Sequence, residues 1–206
     1  MNVTLLVTIG APLVIIAFIV YSDKFKEPLD LILKTFFLGI FLCIPAGELN
    51  SWLIQSPDQS YFAGLTEESL KFIILYFYIR PKAAFNEPMD AIVYAVCISL
   101  GFATLENIMY VYNSGTSAAM YVAILRGLTA VPAHALFGLT MGLMFINYSF
   151  IKKNNYNLLM CFIYPTIMHA TYNFLVGHTN LFLVIIILII TWRIQLRKFR
   201  ALKALQ

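Results

Sequence analysis

Charge is scarce in this chain. Of 206 residues only 12% are Asp, Glu, Lys or Arg, where a soluble domain carries about a quarter, and 61% are hydrophobic with a mean hydropathy of +0.81. A soluble globular protein is excluded, and 15% aromatic residues exclude a disordered one. Cysteine is as sparse. Cys43, Cys97 and Cys161 are odd in number, scattered, and buried in apolar runs, so they match neither a disulfide framework nor a metal motif and read as small packing residues. No Gly/Ser/Pro linker, low-complexity tract or internal repeat interrupts the chain, so residues 1–206 read as a single helical domain. The net charge of +4 is not gathered into a basic face, and nucleic acid is not an expected partner.

What the chain does have is long apolar runs, at 3–21, 31–54, 65–79, 91–112, 118–149, 157–176 and 180–196. They predict an all-α, polytopic membrane protein with about seven transmembrane helices. The fifth run is too long for one straight helix, and Pro132 inside it predicts a short interfacial helix or a kink before a span ending near Tyr148. The first run has no Lys or Arg before it and no small-residue cleavage site before Ser22, so it reads as a span and not as a signal peptide. With seven crossings, Lys24, Lys26, Lys34, Arg80, Lys82, Lys152, Lys153 and the basic tail from Arg193 all fall on one side. The connections at 55–64, 113–117 and 177–180 carry no Lys or Arg. The positive-inside rule then puts the N-terminus outside and the C-terminus in the cytoplasm.

Two of the fourteen cations, Lys71 and Arg126, remain inside the runs. An ionisable residue in hydrocarbon costs about 2.5 to 3.5 kcal/mol on insertion scales, so such residues are functional candidates by default. The candidates are Glu67, Glu68 and Lys71 in the third run, Glu106 and Asn107 in the fourth, Arg126 and His134 in the fifth, and His169 with Asn173 in the sixth. Counted from the outer end of each span at ~1.5 Å per residue, Glu67, Glu68, Glu106, His134 and His169 share one depth in the outer half of the membrane. Spacing by four places Glu67 with Lys71, Phe102 with Glu106, and His169 with Asn173 on common helix faces. Carboxylates able to deprotonate water, beside imidazole and amide donors able to stabilise an oxyanion, are the equipment of a hydrolase.

Each residue also has a purely structural reading. Thr66 can cap a helix whose first turn welcomes Glu67 and Glu68, Glu106 and Asn107 can pair with Arg126, and a lone His134 can bridge helices. His178 reads as solvated and Glu48 as interfacial. A shared depth across four segments is what the structural readings leave unexplained.

Glu67-Glu68-Ser69-Leu70-Lys71, Gly101-Phe102-Ala103-Thr104-Leu105-Glu106-Asn107, His134 and His169-Ala170-Thr171-Tyr172-Asn173 resemble, in this order, the motifs of the PrsW family of bacterial intramembrane proteases. The resemblance runs from Ala11-Pro12 and Glu27-Pro28 to the basic tail. It implies a protease of the bacterial cell membrane that cuts a single-pass, membrane-tethered anti-sigma factor on its extracytoplasmic side and so starts release of a sigma factor in envelope stress. The family is distantly similar to the CAAX prenyl endoproteases and Abi (CPBP) proteins. In their second motif a His stands where this chain has Glu106. By that analogy Glu67 activates water, Glu68 orients a neighbour, His169 and Asn173 stabilise the oxyanion, and Glu106 and His134 complete the pocket. A glutamic mechanism with no cofactor is the expectation. The alternative is zinc held by Glu67, Glu106, His134 and His169, although no His-Glu-x-x-His spacing is present. A proton- or ion-coupled transporter is the competing class, and it requires polar groups continuing through the inner half, where spans four, six and seven are almost wholly apolar. A non-catalytic assembly subunit is the third.

Overall fold

The computed structural model describes residues 3–204. The chain runs α1 (Val3–Ser22), α2 (Leu29–Leu53), a 3-10 turn (Pro57–Phe62), α3 (Ala63–Ile73) with a π extension (Ile74–Ile79), α4 (Pro88–Asn113), α5 (Ala119–Leu128), α6 (Ala130–Ile146) with a π extension (Asn147–Ile151), α7 (Asn155–His178) and α8 (Leu181–Lys203). Among the described residues there is no strand. Five stretches are long and apolar enough to cross a membrane: 3–22, 29–53, 88–113, 119–151 and 155–178. The expected runs 65–79 and 180–196 are not among them, because α3 is short and carries Glu67, Glu68 and Lys71, and α8 ends in a dense group of cations.

Local signals set the helix ends. Pro88 opens α4 behind a capping box in which Glu87 and Asp90 satisfy each other's backbone amides, and Asn154 and Asn180 cap α7 and α8 by accepting from Asn157 N and Leu183 N. The fifth run breaks as expected in kind but not in place. The break is at Thr129, and Pro132 lies in the first turn of α6, where its missing N–H costs no helical bond.

Helix α4 is the axis of the bundle. Gly39 of α2 and Gly101 of α4 face each other so closely that a Cβ on either would collide with the opposite backbone, at the carbonyls of Ile98 and Phe36. Gly138 and Gly142 of α6 press in the same way on the backbone at Ala95 and Ala91. Small residues therefore let three helices approach at backbone contact, where packing and not the hydrophobic effect drives association in lipid. That approach leaves Met89, Ile92, Val93, Val96, Ile98 and Leu100 with no exposed surface.

Contacts sort the connections into two ends. At one, Tyr94 donates to Glu27, Phe85 meets Phe150 at 5.4 Å, and Arg80 lies 4.9 and 5.4 Å from the rings of Tyr76 and Tyr148. This end carries the lysine-bearing connections and, through Phe18 against Phe199, the basic end of α8. At the other end Thr66 bonds Asn50, Asn173 bonds Ser60, and His178 lies 3.9 Å from Asp58.

Two outcomes follow from this framework. Gly101→Val forces α2 and α4 apart at a cost of roughly 1–3 kcal/mol, read as a lower unfolding temperature in detergent and lower membrane abundance. Burial, reinforced by the carboxylate of Asp90, lifts Glu27 from 4.5 to about 8. Between those values the folded chain keeps a proton that the unfolded chain has released, so stability falls as pH rises from about 4.5 to 8. Thermal unfolding across that window should show the loss in the native protein, and Glu27→Gln should flatten it.

Candidate active site

Two buried imidazoles are each held from behind by a carboxylate, and each carboxylate by a cation. In the first arm Glu68 Oε1 accepts from Lys71 Nζ at 2.7 Å and from His169 Nδ1 at 2.9 Å. An ionised carboxylate can only accept, so Nδ1 of His169 carries a proton, and in the neutral ring the lone pair is on Nε2, 3.8 Å from Glu67 Oε2. In the second arm Glu106 Oε2 accepts from Arg126 Nη2 at 2.5 Å and from His134 Nε2 at 3.0 Å. His134 Nδ1 is then an acceptor, and Lys71, which can only donate, reaches it at 3.3 Å. Phe137 stacks on His169 with ring centres 4.6 Å apart, and the imidazoles meet edge to face at 5.1 Å.

Glu67 stands where the arms meet. Its Oε1 accepts from Asn50 Nδ2 at 3.3 Å, while Oε2 is buried without a hydrogen bond, 3.9 Å from Lys71 Nζ. One donor atom each from Glu67, His134 and His169 lie within 4.8 Å of one another. An orphaned buried carboxylate oxygen, an imidazole lone pair facing it, and carboxylates fixing both rings from outside are what a zinc-type metal needs by ligand number, type and outer support. The residues fit such a metal. Lys71 is the competitor for it, since its ammonium already holds His134 Nδ1.

A cavity of about 560 Å³ opens from this centre, and Glu67, Glu106, Arg126, His134, His169 and Asn173 are on its wall. Glu68 is behind the wall, fully buried. The structure thus brings Glu67, Glu68, Glu106, His134 and His169 from α3, α4, α6 and α7 into one cluster at the end opposite the lysine-bearing connections. Asn173 reaches the cavity, but one of its amide hydrogens goes to Ser60 O at 3.1 Å, pinning the 3-10 turn. Glu106 is outside the three-donor group and serves His134 and Arg126 instead of completing a four-residue ligand set. Thr66 makes no helix cap and bonds Asn50 and Ala63 O. Asn50, absent from the sequence candidates, is the one direct hydrogen-bond donor to Glu67 among the described residues. Its only sequence signal is a polar amide near the outer end of an apolar run. Glu48 is exposed, and His178 donates through Nδ1 to Phe174 O at 2.9 Å, outside the cluster.

Residues 27–194 match the family described as PrsW family intramembrane metalloprotease. The chain is 35% identical to Protease PrsW of Geobacillus kaustophilus, across 78% of this chain and 74% of that protein. It is 32% identical to Protease PrsW of Oceanobacillus iheyensis over 93% and 92% of the two chains, and 30% identical to that of Bacillus subtilis over 92% and 91%. No solved structure matches at a significant level.

Removing the cation from the first arm tests how much of the cluster depends on it. Lys71→Met leaves Glu68 buried without its counter-charge, which costs about 3–5 kcal/mol. The expected readout is loss of folded protein in detergent, partly restored in the double variant Glu68→Gln, Lys71→Met.

Proposed function

The chain belongs to the PrsW family, multi-pass intramembrane proteases of the bacterial membrane, and from that premise we propose that it hydrolyses a peptide bond of a single-pass anti-sigma factor on the extracytoplasmic side, with Glu67, His134 and His169 as the reacting centre. The observation that supports this most is the convergence of those three side chains, from three helices, within 4.8 Å on the wall of a cavity at the end opposite the lysine-bearing connections. Under the positive-inside rule that end faces outward, where such a cleavage starts the release of a sigma factor.

Glu67, His134 and His169 would hold a divalent metal of the zinc type. Such an ion, when bound, supplies Lewis-acid polarisation of a carbonyl and a water of lowered pKa. The protein's own groups prepare the site. Glu68 and Glu106 fix the imidazole tautomers so that Nε2 of His169 and Nδ1 of His134 present lone pairs. Asn50 holds one oxygen of Glu67 and leaves the other free to take a proton. Phe102 and Phe137 close the sides of the imidazole pair and keep water out behind it. A second reading, Glu67 as general base on a water without metal, is supported by Lys71, which occupies His134 Nδ1 and offsets the charge of Glu67.

Cleavage of a co-expressed single-span anti-sigma factor separates these readings. Glu67→Gln at equal membrane abundance lowers cleavage roughly 10²–10⁴-fold, the range for a lost general base. Chelation abolishes cleavage and zinc restores it in the metal reading; chelator-insensitive cleavage leaves the glutamic reading. A fully active Glu67→Gln enzyme would sink both.

A further inference from the structure

Arg126 is held on three sides. Its Nη2 donates to Glu106 Oε2 at 2.5 Å, its Nε donates to Asn107 Oδ1 at 2.7 Å, and its guanidinium carbon lies 3.8 Å from the centre of the Tyr110 ring. The third nitrogen, Nη1, makes no hydrogen bond among the described residues, and the side chain reaches the cavity wall with 15% of its surface exposed. The result is a permanent cation, fixed in orientation, with an unused pair of N–H groups on a side chain that lines the same cavity as Glu67, His134 and His169.

No other group of the cluster offers a free cationic donor. Glu67 and Glu106 are acceptors. The N–H of each imidazole is committed to a carboxylate, and the ammonium of Lys71 is enclosed by Glu68, His134 and the Phe102 ring. Asn173 has spent one amide hydrogen on Ser60. Hydrolysis of a peptide bond develops negative charge on the carbonyl oxygen, and fixed donors aimed at that charge are usually the largest single contribution to rate.

We propose that Arg126 receives the carbonyl oxygen of the scissile bond through Nη1 and stabilises the oxyanion. This rests on the protease reading above. As the water oxygen adds to the carbonyl carbon, the π pair moves onto oxygen and meets Nη1–H. The pair returns as the C–N bond breaks, the amine leaves with the proton taken from water, and Arg126 keeps its protons throughout. Tyr110 and Asn107 are positioning residues for the guanidinium, and Glu106 serves Arg126 and His134 at once.

The variant to make is Arg126→Lys, which preserves the charge opposite Glu106 and loses the fork. Its kcat on a peptide substrate should fall about 10²-fold, as when an oxyanion donor is removed. Affinity for a peptide phosphinate, a tetrahedral anion, should fall in parallel, while binding of the intact substrate, measured on a Glu67→Gln background, changes little. Equal weakening of phosphinate and substrate, or an unchanged kcat, overturns the proposal, because a merely structural role moves both ligands alike. Should Arg126→Lys not fold, Asn107→Ala keeps both charges, frees one edge of the guanidinium, and must show the same selectivity to a smaller degree. Wild-type protein that cleaves no peptide overturns the protease reading itself, which separates the two failures.

Discussion

A lysine ammonium with 1% of its side chain exposed is the constraint around which the site is organised. Taking a full charge out of water costs several kcal/mol even after relaxation, and only close, well-oriented partners offset it. Lys71 finds them on three helices: Glu68 and Glu67 on its own, His134 on α6, and the Phe102 ring on α4. Through Glu68 it also reaches His169 on α7. Loss of Glu68, the closest of these partners, leaves the ammonium buried and poorly balanced, so this pair is costly to break. Pre-organisation of the reacting centre is thus a by-product of keeping Lys71 in the bundle.

The second arm repeats the design with different parts. Glu106 stands to His134 as Glu68 stands to His169, and Arg126 takes the place of Lys71. The two arms bond opposite ring nitrogens, Nε2 in His134 and Nδ1 in His169, and the remaining nitrogens turn toward Glu67 and Lys71. The cations differ in a way that matters. Lys71 is enclosed and spends its ammonium on the protein, whereas the rigid fork of Arg126, on a side chain that lines the cavity, satisfies Glu106 and Asn107 and still leaves one nitrogen without a hydrogen bond.

Much of this was legible in the sequence because hydrocarbon makes polar residues conspicuous. Helix content, the polytopic class and the shared depth of Glu67, Glu106, His134 and His169 all follow from counting along apolar runs. What counting does not give is the rotation of one helix against its neighbour. The i, i+4 rule pairs Glu67 with Lys71, yet the shorter contact is to Glu68 at i+3, since Glu67 is turned toward α2 by Asn50. The same rule sets Asn173 beside His169, but the 3-10 turn at 57–62 claims its amide. Thr129 rather than Pro132 breaks the fifth run, because proline is harmless in a first turn and α5 must turn there for Arg126 to meet Glu106. Each of these is settled by tertiary contact, to which local spacing is blind.

The same packing that builds the site also argues against a passage through the protein. Below the cluster, α4 meets α2 and α6 at glycine and alanine backbone, and Met89, Ile92, Val93, Val96 and Ile98 fill the interior without exposed surface. The polar residues that reappear at the far end, Glu27, Asp90 and Tyr94, bond one another and are separated from Lys71 and Glu67 by that apolar layer. A transporter needs a relay across the layer, and backbone-to-backbone contact at Gly39, Gly101, Gly138 and Gly142 leaves no room to open one by side-chain motion alone. A hydrolase needs water on one side only. One-sided access lets a cavity admit water and peptide at one end while the bilayer barrier stays intact below it, and that is the arrangement this helix packing provides.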